Sequence, residues 1–163
     1  MLCVGMHGQT LCVTKCKPCM QAPKVNFYIL STQSEHERQL FACKLAEKAF
    51  RLGFKTYILT HSMHQAQQMD NILWTFRASS FVPHEIFQDS LPSTTNAVII
   101  GTQQAPDPWQ HTLINLSTVC PEDIMQAEQI FELLDNDETQ KQAGRLRYRH
   151  YQTLGITPNT HNM

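Results

Sequence analysis

From Val25 onward the apolar and polar positions follow two rhythms, one suited to strands and one to helices. Val25-Asn26-Phe27-Tyr28-Ile29-Leu30 is a short β-branched and aromatic run and reads as a strand. Ser34 followed by Glu37 is a capping-box spacing. Beyond it Leu40, Phe41, Leu45, Ala49, Phe50 and Leu52 form a helical stripe that stops at Gly53. Thr56-Tyr57-Ile58-Leu59 predicts a second strand. Ser62 and Gln65 cap a second helix with apolar positions at Met63, Ala66, Met69, Ile72, Leu73 and Phe76. A loop rich in Pro, Ser and Thr covers about 77–96. Residues 97–101 and 112–116 are compact apolar runs that read as strands.

Two helices are expected to close the chain. Pro121 opens the first, which carries Ile124, Ala127, Ile130, Phe131 and Leu134. Asp137, with Gln140 three residues later, caps the second, which runs to about Thr153 before Gly155. This order predicts an α/β fold, a Rossmann-like open and mainly parallel sheet flanked by helices. Residues 25–163 are expected to form one domain, with no internal repeat. Residues 1–24 show neither rhythm. They are expected to be a disordered extension, or sequence upstream of a natural start at Met20.

Composition adds exclusions. The chain has 163 residues, 42% hydrophobic and 17% charged, which suits one ordinary globular core. Its formal net charge of −1 gives no strong whole-molecule field for nucleic acid. No run approaches the roughly 18 apolar residues that cross a bilayer, and the start lacks the basic and apolar regions of a secretory signal. Cys43 and Cys120, isolated within apolar surroundings, fit a reducing cytoplasm.

The turn after the first strand, Ser31-Thr32-Gln33-Ser34-Glu35-His36, contains no glycine. Phosphate cradles need glycine so that backbone N–H groups can approach, so no nucleotide-binding loop is predicted. His61 and His64 straddle a helix start with no nearby Cys, Asp or Glu to complete a metal site. Cys12, Cys16 and Cys19 have the spacing of the three thiolates of a radical iron–sulfur enzyme, but the chain beyond them is too short for the partial barrel such enzymes need. The same cysteines also fit an incomplete zinc knuckle, or no site at all. No catalytic residue, metal or cofactor is assigned.

Two surface features stand out. Arg145, Tyr148 and Arg149 fall at i, i+3 and i+4 of the last helix and share a face, with Arg147 pointing elsewhere. Two guanidinium groups beside an aromatic ring suit an acidic peptide with an apolar end, and Leu134 would line its apolar part. The plainer alternative is a basic helix end complementing the helix dipole. Trp74 and the run Phe81-Val82-Pro83 are the second feature. They either fold back on the sheet or receive a partner. His84 is suited to holding that loop by a local hydrogen bond.

Three segments together carry a resemblance: Asn26–Leu30; Met69-Asp70-Asn71-Ile72-Leu73-Trp74 with Ser80-Phe81-Val82-Pro83-His84; and Gly144-Arg145-Leu146-Arg147-Tyr148-Arg149-His150-Tyr151 with Gly155, Asn159 and Thr160. In order, spacing and type they resemble the chi subunit family of bacterial DNA polymerase III holoenzyme, over about Val25 to Thr160. The resemblance implies a non-catalytic, cytoplasmic replication subunit of Rossmann-like fold, forming a heterodimer with the psi subunit of the clamp loader. It implies that Trp74, Phe81 and Pro83 face psi. It also implies that Leu134, Arg145, Tyr148 and Arg149 receive the acidic tail of single-stranded-DNA-binding protein, so that nucleic acid is met only indirectly. Arg149 departs from the pattern, standing where a lysine can occur. Against this stand two competing readings, a nucleotide- or iron–sulfur-dependent enzyme and a direct single-strand binder.

Overall fold

The computed structural model describes residues 21–163 except 78, 80, 89, 91, 94, 96 and 123. The cysteines at 12, 16 and 19 lie outside the described residues, as does most of the 1–24 extension. Seven strands and three α-helices are present among the described residues: β1 (Lys24–Ile29), α1 (Glu35–Arg51), β2 (Thr56–Leu59), α2 (Met63–Thr75), β3 (His84–Ile86), β4 (Val98–Gly101), β5 (Thr112–Asn115), β6 (Gln129–Leu134), α3 (Glu138–Thr153) and β7 (Asn159–Asn162). They form one sheet in the order β3-β4-β2-β5-β6-β1-β7, and every pairing is parallel. The fold is therefore α/β, an open Rossmann-like sheet.

All three helices start where the sequence places a cap. Ser34 accepts from the Glu37 amide, Ser62 from Gln65, and Asp137 from both Thr139 and Gln140. Gly53 and Gly155, at φ +81° and +77°, let the chain leave α1 and α3 in the left-handed conformation that side chains resist. The buried face of α1 differs from the expected stripe. Ala42, Cys43, Ala46 and Ala49 are buried, whereas Phe50 and Leu52 are exposed. Small residues let the helix axis approach the sheet, leaving the larger side chains at the sides.

The helices cover opposite faces. α1 and α2 enclose one apolar layer with Ile58, Val98, Ile100, Ile114 and Leu133. α3 closes the other, where Tyr151 meets Val25, Phe27 and Ile130 and where Trp109 is buried. Burial pushes the Cys43 thiol up to about 12, so it remains a neutral core group.

One helix is corrected. Residues 124–126 form a short 3₁₀ turn and Gln129–Leu134 is strand β6, so Leu134 ends a central strand and not a helix. A strand buried on both faces is apolar without a clean alternation, so Ile130, Phe131 and Leu134 also satisfied helical spacing. β3 and β7 were not expected either. β3 has three half-buried residues, and all four residues of β7 are exposed and polar.

Sheets of this type bind ligands where neighbouring strands send their helices to opposite faces, outside their carboxyl ends. β1 and β6 are that pair. There the Asn136 amide donates to the Thr32 carbonyl at 2.7 Å, tying the two loops together. Below them Arg38, 1% exposed, pairs with Glu35, and its Nε stands 3.8 Å from Asp135. Gln65 donates to Glu35 at 2.5 Å from the start of α2. The chain's own polar side chains thus form a network beneath this strand end.

Candidate functional site

The helix face singled out in the sequence forms one wall of an open cleft of about 400 Å³ beside edge strand β7. Leu134, Arg145, Tyr148 and Arg149 all line it. Its apolar floor is Phe27 and Ile29 from β1 with Leu134 from β6, and Tyr148 leans on Phe27 with ring centroids 5.5 Å apart. Lys141, Arg145 and Arg149 give it three cations, and among the described residues no Asp or Glu lines it. Arg145 is not wholly committed to it, since its Nη1 donates to Glu138 at 2.9 Å. Both side chains of that pair are 63% exposed, so a competing carboxylate displaces it at a cost below about 1 kcal/mol.

Gly144 sets the depth. A Cβ at this position would collide with the methyl groups of Leu134, so α3 sits this close to the end of β6 only while that side chain keeps its place.

The orientation of α3 comes from a charged network beneath it. Glu132, fully buried on β6, accepts from Arg147 Nε at 2.9 Å, from the Tyr151 hydroxyl at 2.6 Å and from Asn115 Nδ2 at 3.1 and 3.2 Å. Arg147 Nη1 also donates to the Thr118 carbonyl at 2.8 Å. With Arg147 and Tyr151 drawn inward, Arg145, Tyr148 and Arg149 are turned to the cleft. Burial, and after it the charge of Glu132, holds the Tyr151 hydroxyl far above the ordinary phenol range. The same two causes push the Cys120 thiol up to about 11, away from the reactive thiolate.

The sequence reading missed Lys141, Phe27 and Ile29. Lys141 was recoverable, being one turn before Arg145 on the same face. Phe27 and Ile29 alternate on β1 and thus share a face, but only the pairing of β1 with β6 reveals that they meet Leu134.

The second candidate region lies at the opposite edge of the sheet, beside β3. Trp74, near the end of α2, is 58% exposed and Phe81 is 62% exposed, with ring centroids 5.4 Å apart. The three residues of Phe81-Val82-Pro83 are buried to different degrees. Val82 is buried in the core and Phe81 stands out. Pro83 is half-buried, and its carbonyl accepts from the Ala97 and Val98 amides. His84 Nδ1 lies 2.7 Å from the Val82 carbonyl, the local bond expected of it.

His61 and His64 are both exposed, and His61 Nδ1 lies 2.9 Å from Gln65 Oε1. Among the described residues no three His, Cys, Asp or Glu are arranged to hold a metal ion. No described helix is long and apolar enough to cross a membrane.

Comparison with known proteins places the chain in a family. The family described as DNA polymerase III chi subunit, HolC, matches residues 22–159. The DNA polymerase III subunit chi of Pseudomonas aeruginosa is 29% identical over 140 residues, covering 86% of this chain and 96% of that protein. That of Haemophilus influenzae is 28% identical, covering 87% and 99% respectively. The Escherichia coli subunit is 25% identical, covering 82% and 94%. A match over nearly all the described chain, on a parallel α/β fold, shows that this protein belongs to the chi subunit family of bacterial DNA polymerase III, an accessory and not a catalytic part of the replicative enzyme.

Proposed function

We propose that this chain is a two-sided adaptor, acting in the cytoplasm, which joins the psi subunit of the clamp loader to the acidic tail of single-stranded-DNA-binding protein. The observation that carries the reading is the convergence of Lys141, Arg145, Arg149 and Tyr148 on a cleft with an apolar floor and, among the described residues, no acid in its lining. An acidic peptide ending in a large apolar side chain is complementary to it in both charge and shape.

The two contributions differ in size. Burying an aromatic side chain of about 150–250 Å² at about 25 cal/mol per Å² is worth roughly 4–6 kcal/mol before ordering costs. Exposed charge pairs contribute under about 1 kcal/mol each. The floor therefore supplies most of the affinity, while the cations select acidic sequences and speed encounter. Nucleic acid is then met through the coated template and not by direct contact.

The psi subunit is assigned to Trp74, Phe81 and Pro83, since paired exposed aromatics suit the centre of a protein interface. Six strand spacings of about 4.8 Å separate the outermost strands, so the two regions stand about 29 Å apart across the sheet. Partners of modest size can occupy both at once. Micromolar contacts, near −8 kcal/mol each, then suffice because one assembly raises the effective concentration of the other.

The test is a titration of a labelled acidic tail peptide into this protein and its Tyr148→Ala/Arg149→Ala variant. Saturable binding that the variant loses at unchanged melting behaviour is expected. Equal binding by both proteins, or none by either, would overturn the assignment of the cleft.

A further inference from the structure

The aromatic pair at the β3 edge has a support that the sequence does not display. The His84 side chain is 1% exposed and stands between three groups. Its Nδ1 lies 2.7 Å from the Val82 carbonyl, which can only accept, so this nitrogen carries a hydrogen. Its Nε2 is buried without a hydrogen-bond partner and faces Asp70 Oδ1 across 3.5 Å. Its ring meets the Trp74 indole edge to face, with centroids 5.0 Å apart. Asp70 and Trp74 lie one turn apart on α2 and so share a face.

We propose that His84 is the positioning residue of this face, clamping the 81–84 segment to α2 so that Trp74 and Phe81 stand as one preformed contact surface. The inference rests on the reading of this face as the psi-binding one. The segment is pinned at Val82 by burial and at the Pro83 carbonyl by two amides, but Phe81 lies beyond both anchors. Its orientation depends on the Trp74 ring, and that ring depends on His84 behind it. Removing His84 leaves two large exposed rings free to rotate, and a partner must then order both on binding.

The experiment compares the full chain with His84→Ala and His84→Asn, the second carrying an amide donor for the Val82 carbonyl. Three readouts are taken: thermal unfolding, nuclear Overhauser contacts between the Trp74 and Phe81 rings in the free protein, and affinity for the psi subunit. His84→Ala is expected to unfold cooperatively, to lose the ring–ring contacts and to bind psi about tenfold more weakly. His84→Asn, which restores the donor but not the ring behind Trp74, is expected to recover part of both. Ring contacts and affinity unchanged in His84→Ala would overturn the proposal, as would His84→Asn behaving no better than alanine. If His84→Ala fails to fold, His84→Asn decides against the wild type. Retained contacts support the clamp, and their loss overturns it. Failure of the wild type to bind psi would count against the partner assignment alone, because the ring contacts of the free protein still score the role of His84.

Discussion

The two edges of the sheet are finished in opposite ways. At the β7 edge, α3 stands off just far enough to leave a concave cleft with three cations at its sides and an apolar floor. At the β3 edge, Trp74 and Phe81 project outward over a buried histidine. On the proposed reading, the first arrangement takes charge and a chain end, and the second offers apolar area to a folded surface. Their supports differ as well. The cleft depends on a buried charged network under a sixteen-residue helix, the aromatic pair on a helix end and a short loop. One sheet can thus carry two recognition surfaces of different chemistry, provided that neither shares a structural support with the other.

The largest expected effect comes from breaking the support of the cleft. Glu132→Gln leaves Arg147 charged in the core without its counter-ion and is expected to lower stability by about 3 kcal/mol in urea unfolding. Replacing both residues with methionine should regain much of that loss. Below its melting temperature the single variant should bind the tail peptide poorly and psi normally.

Next is Phe81→Ala or Trp74→Ala. Loss of an aromatic anchor should weaken psi binding by about 2 kcal/mol, read by calorimetry. Since both side chains are more than half exposed, stability should move by no more than about 0.5 kcal/mol, and tail binding not at all.

The smallest change in binding is expected from Gly144→Ala. The new methyl meets Leu134, and overpacking costs about 1–3 kcal/mol, while alanine returns about 1 kcal/mol of helix propensity. Leu134 is expected to yield toward the cleft, so peptide titration should show weakened tail binding, with stability lowered by no more than about 2 kcal/mol. A weakened psi contact in this variant would mean that the two edges are coupled.

The sequence exposes these features unevenly. The three helix caps and four strands are legible because capping chemistry and short apolar runs are local signals. Strand β6 was not, since Ile130, Phe131 and Leu134 are apolar at helical as well as strand spacing. β7 carries no apolar signal at all, and only its pairing with β1 defines it. Arg145, Tyr148 and Arg149 could be grouped from one helical face, but the cleft itself depends on Phe27, Ile29 and Leu134 meeting across two strands. That meeting is a matter of sheet order. The Asp70–His84 contact likewise joins a helix to the segment following a long loop, and no spacing rule reports it.

The central claim is that the two surfaces work at the same time. A labelled tail peptide titrated into the free chain, and again into the chain saturated with psi, tests it most directly. Independent sites this far apart should give dissociation constants equal within about twofold, with a ternary complex at saturation. Displacement of the bound peptide by psi would show that the surfaces compete, and the bridging account would fail.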